Sequence, residues 1–208
     1  LLAPLGGVSE LLRQTYDSLF SRHGEIVPIY FALPQTESTA VSAAIEFLNT
    51  FLLQYVAYRR DEPSLCHASL TLNEIVKLAP AADLAWLEEL IEAYSQQRFS
   101  DDDRALVRFC LTAPARALPR DVRPFVMFDA VQLAKYADSP VPFAIEIVRA
   151  LNGSGNPFVL AGLRREILAA ADRSGAGPDA FEVMRLEQLE EKGQGHTELA
   201  RRYPAESS

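Results

Sequence analysis

A glycine pair near the start of the chain has the surroundings of a phosphate-binding turn. Gly6 and Gly7 follow a short apolar run that stops at a proline, and an amphipathic segment comes next. Strand, glycine-rich turn and helix together build the nucleotide-binding loop GxxxxGK[ST]. In that loop the backbone N–H groups cradle phosphates, the lysine reaches the β and γ oxygens, and the hydroxyl binds Mg²⁺. The sequence predicts a loop of this kind here.

The predicted loop lacks its cation. When Ser9 is aligned with the hydroxyl of the motif, Gly7 matches the second glycine and Val8 stands where the lysine should be. The first glycine of the motif has no counterpart at the required spacing. The predicted phosphate loop therefore consists of Gly6, Gly7, Val8 and Ser9, with Ser9 as a Mg²⁺ ligand or, equally well, as a helix N-cap.

An aspartate at the end of an apolar strand is the second candidate for chemistry. In "FVMFDAVQ" four apolar residues precede Asp129, which predicts a carboxylate at the carboxyl end of a central strand, where it would orient the shell of a Mg²⁺ ion. The next position often holds an acid that polarises water, but here it is Ala130. Gln132 would touch a water or a neighbouring subunit. The alternative is that Asp129 only caps the following helix.

An arginine just past a later strand is the third candidate. Arg164 follows "FVLAGL", where its guanidinium could meet a γ-phosphate. The alternative is that Arg164 and Arg165 are solvated or paired with Glu166 or Glu10. The three histidines are scattered, and the adjacent Cys66 and His67 do not have the arrangement of a catalytic thiol pair.

The elements that would position these residues alternate between strand and helix. Apolar runs predict strands over residues 1–3, 26–33, 124–129, 158–162 and 181–189, and helical spacing predicts helices between and after them. A helical insert over about 64–118 separates the second and third strands. The pattern predicts one α/β domain over 1–208, with a parallel sheet and helices on both faces.

Composition narrows the class of protein. The 208 residues carry a net charge of −8 without a basic stripe, which argues against direct nucleic-acid binding. The apolar segment 40–58 contains Glu46, Asn49 and Gln54, which favours a buried or partner-covered helix over a membrane span. Two distant cysteines outside any CxxC pair predict reduced thiols and a cytoplasmic protein. The chain begins without Met, inside a predicted strand, so we expect an upstream segment.

Taken together, these stretches resemble the core of STAND/AAA-type P-loop ATPases of the bacterial and archaeal ATPase group. The resemblance rests on "LLAPLGGVSELLRQTYDSLF", "VPIYFAL", "PFVMFDAVQ" as Walker B, "PFVLAGLRRE" as the sensor strand and "FEVMRLEQL". It implies a P-loop NTPase-like sheet in which Asp129 is the magnesium carboxylate and Arg164 is the sensor. The cofactor would be ATP or ADP with Mg²⁺, or the site would bind no cofactor. The helical lid that should follow the fifth strand has no counterpart.

Two losses at one site decide the expected function. Val8 for the lysine and Ala130 for the acid each remove a preorganised charge, which costs several kcal/mol of transition-state stabilisation. We therefore expect a catalytically degenerate domain that acts as a protein-interaction or regulatory scaffold, with a protein partner and room for a homo- or hetero-oligomer. The alternatives are a weak or partner-assisted ATPase, and a different doubly wound domain such as a flavodoxin-like signalling module.

Overall fold

Three parallel strands form the sheet of the computed structural model, which describes residues 6–34, 39–117, 121–131 and 142–176. The strands are β1 (Ile26–Ala32), β2 (Arg123–Asp129) and β3 (Phe158–Leu160), in the order β1-β2-β3. Seven α-helices accompany them in this part of the chain: α1 (Gly6–Arg22), α2 (Ala40–Arg60), α3 (Leu72–Lys77), α4 (Ala81–Arg98), α5 (Asp103–Thr112), α6 (Phe143–Asn152) and α7 (Arg164–Ser174). Short 3-10 turns cover Pro63–His67 and Ala113–Ala117.

Both faces of the sheet are covered by helices, because successive side chains of a strand point to opposite faces. On one face Val126 and Phe128 join the main core with α2, α5 and α6. On the other, Phe125 and Met127 pack with α1. The α/β class and the parallel sheet with helices on both faces are thus confirmed for the described residues. Helices α2 to α5 lie between β1 and β2, and α3, α4 and α5 fall within the range of about 64–118 that the sequence predicted as a helical insert.

Helix α2 is the core helix of the domain. Its length and composition would suffice to cross a membrane, but more than half of that stretch is buried inside the structure. Phe47, Phe51 and Tyr55 have no exposed surface, and the helix packs on β1 and α5. The sequence favoured a helix that is either buried or covered by a partner, and in the structure most of this helix is buried. Its apolar face is not free to bind a partner.

The outer edge of β1 is capped by a side chain of α2. Gln54 Nε2 donates to the Tyr30 carbonyl at 2.9 Å, and Gln54 Oε1 accepts from the Tyr30 N–H at 2.8 Å. The amide thus satisfies both backbone groups, as a neighbouring strand would. Pro28 lies two residues before Tyr30 in the same strand, so its nitrogen faces the same outer edge. Because no neighbouring strand pairs there, the N–H that proline lacks costs no hydrogen bond of the sheet. This edge position explains why Pro28 is tolerated inside the strand.

Replacing Gln54 with leucine is expected to lower the free energy of unfolding by about 1–3 kcal/mol, because two half-buried backbone groups lose their partners. Urea unfolding of the full chain measures the change. Gln96→Leu is the matched control, since this exposed residue of α4 should shift stability by about 0.5 kcal/mol at most. Equal losses in the two variants would contradict the capping role.

Most predicted helices and strands agree with the structure, and the differences lie at their ends. Helix α1 begins at Gly6 rather than Ser9, so the predicted Gly6–Ser9 turn is instead the first helical turn. The cap of α5 is Asp102, whose carboxylate accepts the Ala105 N–H at 2.9 Å. The predicted strands over 1–3 and 181–189, the last helix and Gln132 lie outside the described residues.

Candidate functional site

A buried carboxylate stands at the carboxyl end of the central strand. Asp129 closes β2 and is 5% exposed. Its Oδ2 accepts the Tyr30 hydroxyl from β1 at 2.9 Å, and its Oδ1 accepts the N–H of Ala130 at 2.7 Å. Each carboxylate oxygen therefore has one donor among the described residues. The carboxyl edge of a parallel sheet is where ligands bind in α/β proteins.

Asp129 differs from Asp83 and Glu146, the other buried carboxylates of the described residues, in forming no direct ion pair there. Asp83 and Glu146 are buried as well, and both form ion pairs with arginine. No described lysine, arginine or histidine pairs with Asp129. Buried charges are ordinarily paired or coordinated to a metal, so an unpaired one is a candidate for binding chemistry.

Tyr30 links this carboxylate to α1. Burial, followed by the hydrogen bond to Asp129 and its negative charge, raises the pKa of the Tyr30 hydroxyl to about 12. Arg13 of α1 acts in the opposite direction on the same hydroxyl. The three side chains come from α1, β1 and β2, so the site is assembled by the fold. Tyr30 is a neutral donor at neutral pH and fixes the orientation of the carboxylate.

The backbone after Asp129 is strained. Ala130 has a φ of 57°, in the left-handed region that residues with a Cβ rarely occupy. Such a conformation costs about 1–3 kcal/mol and persists where the surroundings determine it. Two hydrogen bonds hold the chain here. The Ala130 N–H donates to Asp129 Oδ1, and the Val131 N–H donates to the Ala161 carbonyl at 3.0 Å. The missing acid of the predicted site is therefore replaced by a strained, small residue.

The first turn of α1 lies on the same face of the sheet as Asp129. Val8 packs against the apolar cluster that Leu12, Met127 and Ala161 form, and Met127 shares its face of β2 with Asp129 by strand alternation. The position predicted for the loop lysine thus makes apolar contacts beside the carboxyl end of β2. A methyl group built on Gly7 would meet nothing within 4 Å, so packing within the described residues does not require glycine there.

These residues fit a triphosphate poorly. The first turn of α1 offers backbone N–H groups, which suit an anion, but Val8 gives no cation. The Mg²⁺ assignment of Asp129 and Ser9 stays a prediction, and among the described residues no three His, Cys, Asp or Glu side chains group as metal ligands do. Arg164, the predicted sensor, begins α7 just after β3 and is exposed. Arg165 pairs with Glu166 at 3.0 Å, as one sequence alternative proposed.

Both cysteines are free, as the sequence predicted, and neither is activated. Burial raises the pKa of the Cys110 thiol to about 12. Burial likewise raises the pKa of Cys66, whose Sγ lies 3.3 Å from the Tyr16 hydroxyl. A thiol acts as a nucleophile through its thiolate, so these environments disfavour covalent catalysis.

Sequence reasoning found Asp129 but missed Tyr30 and Arg13. Tyr30 was counted only as one apolar letter of the strand "IVPIYFAL", and Arg13 as part of the polar face of α1. One signal was available: a tyrosine in a buried strand needs a partner for its hydroxyl. The identity of that partner, 99 residues away, could not be read from spacing.

The fold and site define the class of this protein only coarsely, as an α/β domain with a small open parallel sheet. No family model matches the sequence, and comparison with curated proteins and with solved structures likewise gives no match. The function is therefore argued from the residues alone.

Proposed function

We propose that this protein is a catalytically degenerate P-loop ATPase-like domain that works as a protein-interaction or regulatory scaffold. The observation that carries the proposal is that Val8 packs against the apolar cluster of Leu12, Met127 and Ala161. A lysine that cradles phosphate must keep its ammonium at the open edge of the sheet. Here the same position is an apolar contact between α1 and the strands.

The arrangement of the sheet supports the P-loop part of the proposal. A P-loop domain requires the strands that end at Asp129 and at Gly162 to lie beside or near the first strand, with Asp129 facing the Gly6–Ser9 turn; the first strand, predicted over residues 1–3, lies outside the described residues. β2 and β3 are neighbours, and Val8 and Tyr30 belong to one apolar cluster on the α1 face.

The electrostatics of the site support the degenerate part. Fast phosphoryl transfer needs positive charge around the transferring group, and the removal of one such donor typically costs about 3–4 kcal/mol in the transition state. The hydroxyl of Tyr30 already occupies one oxygen of Asp129, and Ala130 cannot polarise water. The domain keeps the frame of a nucleotide site without its charges.

The partner surface does not come from α2, which is buried. Large apolar side chains that are exposed in the described residues are few and separate: Leu11, Ile26, Phe99 and Leu168. Phe99 is 89% exposed at the turn between α4 and α5, where a partner with an apolar pocket could receive it. Isolated exposed apolar residues are common, so Phe99 supports a protein partner only as an accessory contact.

Calorimetric titration of the full chain with ATP and Mg²⁺ tests the proposal. We expect no binding by the wild type, and we expect Val8→Lys to gain it, since this change restores the cation. Leu11→Lys is the matched control, because it adds the same charge to an exposed position of α1 and should gain nothing. Micromolar binding with phosphate release by the wild type would overturn the degenerate assignment. No gain in Val8→Lys would count against the P-loop frame.

A further inference from the structure

Three arginines converge on one carboxylate where α5 and α6 meet. Arg104 Nη2 and Arg108 Nε lie 2.7 and 2.6 Å from the two oxygens of Glu146, and Arg149 Nη1 lies 3.1 Å from Oε1. The Glu146 side chain has no exposed surface, whereas the three arginine side chains are 36–50% exposed. We call Arg104, Arg108 and Arg149 the arginine cluster.

The arginine cluster carries more positive charge than its own carboxylate neutralises. Three guanidinium groups face one Glu146, so the local balance is positive in a chain whose net charge is −8. Asp102 is the other acid close enough to act on Arg108, and its Oδ1 is engaged by the Ala105 N–H as the cap of α5. An anion from solution or an anionic ligand would neutralise the remaining positive charge of the cluster.

Glu146 uses only some of the donors of Arg104 and Arg108. Arg104 and Arg108 use Nε and Nη2 on Glu146, and no contact among the described residues uses their Nη1 groups. Arg149 is held from the other side, where its Nε and Nη2 donate to the Ser174 and Arg173 carbonyls at the end of α7. Buried Glu146 thus orients two half-exposed guanidinium groups toward solvent.

We propose that the arginine cluster is a binding site for a phosphate monoester dianion, presented either by a phosphorylated side chain or by a small phosphate ester. Planar guanidinium groups bind phosphate with paired hydrogen bonds, and the arginine cluster stays positive when both Glu146 and Asp102 are counted, which suits an anionic ligand. The inference goes beyond the proposed function, because the site lies between α5 and α6, which pack on the face of the sheet opposite α1, and it does not depend on whether the Gly6–Ser9 segment binds nucleotide.

Titration of the full chain with a serine peptide, in phosphorylated and unphosphorylated form, tests the site. We expect the phosphorylated peptide to bind at least about tenfold more tightly, and we expect Arg104→Gln or Arg108→Gln to remove about tenfold of that affinity, as the loss of one charge-assisted contact does. Arg165→Gln is the matched control: Arg165 is more exposed, sits in an ordinary surface pair, and should leave binding unchanged. Circular dichroism melts establish that each variant is folded.

Free phosphoserine, as a second ligand, separates the two sources. Binding of phosphoserine as tight as that of the phosphopeptide assigns the site to a small phosphate ester, and tighter binding of the peptide assigns it to a phosphorylated side chain; both support the site. Equal affinity for the two forms of the peptide would overturn it. A loss of phosphopeptide affinity in Arg165→Gln equal to that in Arg104→Gln would also overturn it. So would a single-stranded oligonucleotide whose binding depends on Arg104 as strongly as that of the phosphopeptide, since phosphodiesters would then be the ligand.

Discussion

Replacing Asp83 with alanine is expected to lower the free energy of unfolding by about 3–5 kcal/mol, the largest effect of any single polar substitution in the described residues. Asp83 is 1% exposed in the first turn of α4. It accepts hydrogen bonds from Arg59 Nε at 2.7 Å, the Tyr55 hydroxyl at 3.0 Å and the Trp86 indole N–H at 3.1 Å. Alanine would leave these three donors without an acceptor and Arg59 without its buried counter-charge.

The effect reaches beyond one helix, because the donors come from different parts of the fold. Tyr55 and Arg59 belong to α2, and Trp86 belongs to α4. The Trp86 ring packs edge-on against the ring of Tyr55, with centroids 5.2 Å apart. Arg59 also pairs with Asp121, just before β2, at 3.1 Å. Asp83 is thus the polar centre that ties the helical insert to the core helix.

Asp121→Ala is the matched control for this experiment. Asp121 contacts the same guanidinium, but its side chain is 71% exposed, and exposed ion pairs contribute about 0–1 kcal/mol. Urea unfolding of both variants should therefore separate a large loss from a small one. Similar losses in the two variants, or a loss under about 1 kcal/mol in Asp83→Ala, would show that the buried pair does not carry the stability assigned to it.

The sequence was informative where local physics decides structure. The helical spacing of Leu84, Leu87 and Ile91 predicted α4, and the apolar runs predicted β1, β2 and β3, because side-chain periodicity follows directly from burial on one face. Element ends were less predictable. Two glycines suggested a turn, yet Gly6 and Gly7 begin α1, since a helix tolerates glycine in its first turn when the rest of the helix packs.

The contacts that define the candidate site and the buried carboxylates could not be predicted, because they join distant parts of the chain. Tyr30 and Asp129 are 99 residues apart, and Arg59 and Asp83 are 24 apart. Glu146 counted only as a polar letter in an amphipathic helix, although it is completely buried. No local pattern distinguishes a buried carboxylate from a solvated one; that depends on which cation the fold brings to it.

Glu146→Gln is the second large prediction, with an expected loss of about 2–4 kcal/mol in the free energy of unfolding at neutral pH. Glutamine keeps the shape but gives the three arginines a neutral group in place of their shared carboxylate. The loss is expected to be smaller than that of Asp83→Ala, because Arg104, Arg108 and Arg149 are exposed enough to regain water. Arg165→Gln, which breaks an exposed pair, is the control.

The dependence of this loss on pH identifies its cause. Burial alone would raise the pKa of Glu146, but the hydrogen bonds and charges of Arg108 and Arg104 outweigh it and hold the pKa below its usual range. A carboxyl whose pKa is lowered by folding stabilises the protein above its unfolded pKa of about 4.3, and this contribution disappears as the pH falls through the folded value. The difference in unfolding free energy between wild type and Glu146→Gln should therefore be constant near neutrality and shrink in acid. If the difference in unfolding free energy stays unchanged below the folded pKa of Glu146, the loss comes from the packing of the glutamine and not from the charge of Glu146.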